Sequence, residues 1–200
     1  MTITDIVIAV AVLLFLGVYV SWRAGRLDRM HTRLEAARAA LDVTLVRRSS
    51  VVLELASSGF LDPATSMLLA GSAHEARGGE RPPGATLTYA NLGEIELAQS
   101  NLSRALRAAF AQPGFRDALD DVDGAADLLA ELEAAAHQVL VARKFYNTQV
   151  AVTRDARSKP LVRLLRLAGH ADLPEFFEMD DSLTAADDDG AGADMQRLSG

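Results

Sequence analysis

The sequence predicts an all-α protein: a single amino-terminal transmembrane helix followed by an antiparallel bundle of three long helices and one shorter helix. Three observations carry that expectation. Residues 3–22 read ITDIVIAVAVLLFLGVYVSW, an apolar run long enough to cross a bilayer. Beyond it, apolar residues recur at three- and four-residue steps, the repeat of a helix with one buried face. No strand-like alternation or Val/Ile-rich block stands out elsewhere. The chain has 200 residues, 50% of them hydrophobic and 24% charged, which suits one domain. It has no cysteine, so disulfides, thiolate metal sites and a Cys nucleophile are excluded.

The apolar run comes first. From Ile6 to Val20 no residue is charged, and eleven of the fifteen are Ile, Val, Leu or Phe. Eleven such residues favour insertion by about 3–6 kcal/mol, and twenty residues of helix span about 30 Å. Tyr19 and Trp22 stand where an interfacial aromatic belt would lie. A cleaved signal peptide would carry bases before its apolar run and a small-x-small site after it; here the bases follow, and YVSWRAG offers no such site. A core helix in so small a chain would show a polar face. Trp22, Arg23, Arg26, Arg29 and Arg33 form the downstream flank, and no Lys or Arg precedes the run. Basic flanks stay in the cytoplasm. The expectation is a single-pass protein of the cell membrane, with a short amino terminus outside and the rest inside. Its flanking arginines would face anionic headgroups.

The cytoplasmic part divides at 23–169, a helical bundle, and 170–200, an acidic tail expected to be disordered. Residues 178–200 hold seven acids and one base, so they carry −6 of the net −7. In the bundle, Leu27, Met30, Leu34, Ala37, Leu41, Leu45, Val52 and Leu55 mark a helix that can be continuous with the span and that Gly59 ends. Asp62-Pro63 is a helix start, an N-cap acid with proline at N1, and the second helix runs to about Arg77. The third runs from Thr88 or Tyr89 to Ala111, with a stripe of Leu92, Ile95, Gln99, Leu102, Leu106 and Phe110. The fourth covers 125–157, with Ala125, Leu129, Leu132, Ala136, Val139, Arg143, Tyr146 and Val150 on one face. Pro160 opens a short basic amphipathic piece, PLVRLLRLAG.

No catalytic constellation emerges. None of the four histidines follows Glu at the spacing of a di-iron helix, and Glu133 with His137 reads equally well as a solvated pair. Phosphate-binding glycine loops and the GxSxG elbow are absent. No aromatic residue interleaves the basic stretch between Leu27 and Ser58, which argues against nucleic acid as its partner. The expectation is therefore a non-enzyme with no metal and no cofactor. Asn147 is a poor helix former at mid-helix, so it either faces solvent or bonds across to another helix. Arg47 and Arg48 interrupt an apolar register and are expected to pair with acids or with headgroups.

Several segments resemble the LemA family. LDVTLVRRSSVVLELA, residues 41–56, is similar to that family's first long-helix signature, with Asp42 ahead of the Arg47-Arg48 pair. NLSRAL, residues 101–106, resembles its Leu-Ser element and contributes Asn101 and Leu102. ARKFYNTQV, residues 142–150, resembles its Arg–Tyr–Asn element, here Arg143, Tyr146 and Asn147. Pro160 followed by FFE at 176–178 resembles its carboxyl-terminal finish. The family's proline and asparagine after the paired Arg are missing, and its acidic-Tyr-Pro element reads AQPGFRDAL, so the likeness is to a divergent member. The resemblance implies a membrane-anchored helical bundle and supplies no mechanism.

Two functional readings follow. The first is a scaffold or adaptor at the cytoplasmic face of the membrane, with the lipid bilayer and an unidentified protein as partners. The second is a lipid-organising protein that lays Leu161, Leu164, Leu165 and Leu167 on the bilayer, with Arg163 and Arg166 toward water. Homo-oligomerisation through the neck helix is a further option, since its a/d positions are Leu, Met and Ala for about three heptads.

Overall fold

The computed structural model describes residues 3–79, 86–113, 122–160 and 173–180, with Phe115, Leu119 and Val162 between those stretches. The described residues are helical, with turns and one extended segment, and no strand is paired among them. Helix α1 spans Ile3–Ser57, so the apolar run and the first core helix are one unbroken rod about 80 Å long. A turn with Gly59 at φ +82° reverses the chain. Helix α2, Pro63–Arg77, starts where Asp62 accepts hydrogen bonds from the N–H groups of Ala64 and Thr65. Hydrogen bonds from Thr65 hold that carboxyl below the usual carboxylate range. Gly78, at φ 137°, closes the helix.

Helix α3, Leu92–Phe110, begins a few residues later than the sequence predicts. Asn91 is the cause. Its Oδ1 accepts from the Thr88 N–H at 2.7 Å and its Nδ2 donates to the Thr86 carbonyl, which holds 88–91 as a turn. Helix α4 spans Ala125–Ser158.

Two apolar clusters fill the interior. One gathers Val51, Val52 and Leu55 of α1, Leu69 and Ala73 of α2, Leu102 and Leu106 of α3, and Leu132 of α4. The other gathers Leu34, Leu41 and Leu45 of α1, Leu92 and Ile95 of α3, and Val139, Tyr146 and Val150 of α4. Rising numbers in α1 thus meet falling numbers in α4. Gln112 reaches Thr65, and Gln99 reaches the Ala76 carbonyl, so α2 runs against α3. Helix neighbours follow the order α4, α1, α2, α3.

Between the clusters lies a buried polar layer. Arg48 is fully buried, and its guanidinium donates to Ser103 Oγ, the Gln99 carbonyl and Gln99 Oε1. The Gln99 amide in turn donates to Ser49 Oγ and the Ala76 carbonyl. Arg48 and Gln99 together therefore tie three helices. Arg47, by contrast, is exposed and reaches Glu131 at 3.4 Å, an acidic partner of the expected kind. A surface pair of that sort contributes only about 0–1 kcal/mol.

Truncating Arg48 strands buried partners as well as leaving a void. Arg48→Ala is expected to cost about 2–5 kcal/mol, from buried neutral acceptors left unsatisfied at about 1–3 kcal/mol each and from the void, whereas Arg47→Ala costs under about 1 kcal/mol. Urea unfolding followed by far-UV circular dichroism measures both.

Candidate functional site

Residues 173–180, LPEFFEMD, lie extended between α3 and α4. This corrects the expected boundary of the acidic tail at 170: Phe177 is fully buried, and both it and Met179 join the second apolar cluster. Residues 181–200 lie outside the described part, as do Leu161, Arg163, Leu164, Leu165, Arg166 and Leu167 of the amphipathic piece. Val162 of that piece is described, and it is buried.

The extended segment forms a strap whose main chain is held by side chains. On the α4 side, the amide of Asn147 grips the Phe177 backbone twice: Nδ2 donates to its carbonyl at 3.0 Å, and Oδ1 accepts from its N–H at 2.8 Å. Arg143 donates to the Met179 carbonyl at 3.1 Å, and the Tyr146 hydroxyl to the Glu175 carbonyl at 2.8 Å. On the α3 side, Glu96 accepts from the Glu178 N–H at 2.7 Å, and Ser100 Oγ from the Asp180 N–H at 3.1 Å. Arg107 pairs with the Asp180 carboxylate. At the start of the strap, Arg154 donates to the Pro174 carbonyl at 3.3 Å and lies over the Phe176 ring.

The alternation is that of a strand. In an extended chain the polar groups of successive residues point to opposite edges, and side chains alternate between faces. Residues 175, 177 and 179 turn their carbonyls to α4, while 178 and 180 turn their N–H groups to α3. From 176 onward the side chains alternate, with Phe177 and Met179 inward and Phe176, Glu178 and Asp180 exposed, whereas Pro174 is buried and Glu175 exposed.

Electrostatics tune the grip. Burial raises the Tyr146 phenol above its usual range, and Tyr89 nearby adds to the effect, so the hydroxyl stays protonated and donates. Burial also raises the Glu96 carboxyl, with the charges of Glu178 and Glu175 adding to it against the pull of the Glu178 N–H.

The residues singled out in the sequence fall in three places. Arg143, Tyr146 and Asn147 all hold the strap, so Asn147 bonds to an extended segment and not to the facing helix the sequence suggested. Arg48 and the fully buried Leu102 belong to the core, and Asn101 accepts from Arg104 on the surface of α3. Asp42 is half-buried on α1. Trp22 is exposed, as are Arg26, Arg29 and Arg33, while the Arg23 side chain lies outside the described part. Sequence reasoning missed Glu96, Ser100, Arg107 and Arg154. The available signals were Glu96 and Ser100 at i, i+4 and the apolar spacing of Phe177 and Met179.

No protein-family model, no curated protein and no solved structure matches this chain.

Asn147→Ala leaves the Phe177 N–H and carbonyl without their partner, at about 1–3 kcal/mol for each buried group. Hydrogen exchange should show the Phe177 and Glu178 amides losing protection while α1 keeps its own. The raised Glu96 carboxyl makes docking take up a proton. Its contribution is therefore full below the free-carboxyl value, about 4.3, and is lost as pH rises through the docked value. Glu96→Gln keeps an acceptor without the charge. Strap protection factors should rise in that variant at neutral pH and lose their decline above about pH 4.3.

Proposed function

We propose that this protein is a membrane-anchored helical-bundle adaptor of the LemA type, working without catalysis at the cytoplasmic face of the cell membrane. The observation that carries the anchor is Ile3–Trp22, 20 residues long and apolar enough to cross a bilayer, none of which is buried in the fold. Leu13, Leu14 and Phe15 are 69%, 67% and 76% exposed, an arrangement that water penalises at about 25 cal/mol per Å² and that lipid relieves. The same helix continues into the core, so the anchor and the bundle are one mechanical piece.

The orientation rests on charge. Arg26, Arg29 and Arg33 follow the apolar run, and Lys159 near the end of α4 comes back beside Arg26 and Met30. The α1 arginines and Lys159, which pairs with Asp155 at 3.5 Å, thus sit at the base of the bundle, where anionic headgroups would attract each arginine by up to about 1 kcal/mol. The adaptor reading rests on the α3/α4 groove, which is lined with hydrogen-bonding side chains and holds a peptide segment.

Full-length protein is expected to stay with membranes through alkaline carbonate and to be released by detergent. A reporter fused after Gly200 should be shielded from protease in intact cells and cleaved once they are opened. Exchanging Arg23, Arg26, Arg29 and Arg33 for Glu should turn a substantial fraction of the chains over. Release by carbonate would sink the anchor, and digestion of the reporter on intact cells would sink the orientation.

A further inference from the structure

The geometry points to a second role for the α3/α4 groove: it is a receptor site for an extended acidic peptide from a partner protein, and residues 173–180 are its tethered stand-in. This deepens the adaptor reading, on which it rests, by naming the chemistry of the partner.

The strap itself displays that chemistry. Among the described residues, seven hydrogen bonds link its main chain to helix side chains. Main-chain groups are common to every peptide, so such a cradle accepts sequences that share only a backbone shape. Selection falls on two positions two residues apart, Phe177 and Met179, whose side chains sink into the apolar cluster. Charge supplies the rest. The strap carries Glu175, Glu178 and Asp180; among the described residues Arg107 pairs with Asp180, Arg143 and Arg154 bring positive charge to strap carbonyls, and Glu96 faces the Glu178 N–H. A matching partner is extended, bulky and apolar at positions i and i+2, and acidic at i+3, where Arg107 pairs with Asp180.

Fourteen residues, 159–172, separate α4 from the strap. Arg154, near the end of α4, already holds the Pro174 carbonyl, so the ends to be joined are close together. The strap is covalently attached and so is present at high local concentration, and a partner must compete with it. Beside the strap lies an open hollow lined by Ser100, Lys144, Thr148 and Asp180, which leaves room for a ligand larger than the strap.

The test uses full-length protein in detergent micelles and a fluorescent peptide copying residues 171–183. Phe177→Ser with Met179→Ser weakens the strap and leaves the groove intact. Peptide anisotropy should then titrate saturably, at least about tenfold more tightly than with the unaltered chain. Adding Asn147→Ala, or putting the same two changes into the peptide, should abolish binding. If the weakened chain keeps its helical circular dichroism and binds no peptide, the groove is only a core seam and the proposal falls. Should that variant unfold, a chain with a specific protease site placed within 163–168 and then cut replaces it. Exchange of the severed strap for labelled peptide supports the proposal, and a strap that stays in place against excess peptide overturns it. Binding in micelles is independent of which side of the membrane the bundle faces, so failure here and failure of the anchor or its orientation are told apart.

Discussion

A helix and an extended chain can run side by side only where their repeats agree. Four residues of helix rise about 6.0 Å, and two residues of strand rise about 6.6–6.8 Å. This protein uses that near-match twice. Glu96 and Ser100 on α3 meet the N–H groups of 178 and 180, and Arg143 and Asn147 on α4 meet the carbonyls of 179 and 177. Both edges of the strap find side-chain partners, with no paired strand among the described residues. The residual mismatch of about 0.7 Å per repeat accumulates, and after three repeats it approaches 2 Å, beyond what a hydrogen bond tolerates. A strap held in this way must be short. At its beginning the regular alternation already lapses: Pro174, an even-numbered residue, turns its carbonyl to α4 through the long Arg154 side chain.

The polar layer sets where those side chains stand. Gln99 is turned inward to Arg48, which fixes the rotation of α3 about its own axis. Ser100, the next residue, and Glu96, three residues back, then fall on the adjoining face, toward the strap. A purely apolar seam would allow α3 to rotate or slide by small amounts at little cost. A buried guanidinium with three oxygen acceptors does not, because each displacement leaves a buried polar group unsatisfied. Specificity of register is the best-attested use of such groups, and here the register decides whether the groove can grip a backbone at all.

The helices were legible because each depends on local signals. Asp62-Pro63, Gly59 and the three- to four-residue apolar steps act within one or two turns of chain. The strap was not legible because its partners are distant. Its grip joins Phe177 to a residue 30 positions away and Glu178 to one 82 positions away, and no local pattern records that. Composition misled as well. Glu178, Asp180 and the acids beyond them merge with Phe176-Phe177 into one acidic stretch, which hides the alternation of Phe177 and Met179. Arg143, Tyr146 and Asn147 did stand out, the first two as polar residues on an apolar stripe and Asn147 as a poor helix former at mid-helix. The sequence could show that the need existed, and only the packing shows that an extended segment meets it. Asn101 and Asp42 were drawn in by resemblance alone, and they lie away from the groove's hydrogen bonds.

On the proposed anchoring, the groove has a definite height. The α1 residues level with it run from Leu34 to Leu45, which are 12 to 23 residues beyond Trp22 in an unbroken helix. That places the groove about 18–35 Å from the headgroups along the helix axis. The Debye length at physiological salt is about 8 Å. The surface charge of the membrane is therefore screened at the groove, and Arg107 and Arg143 are not drawn toward lipid. Arg26 and Arg29 lie within the first turns beyond Trp22 and feel that charge fully. One helix thus separates two basic regions by enough distance that each can answer its own acidic partner, lipid below and peptide above, without competition between them.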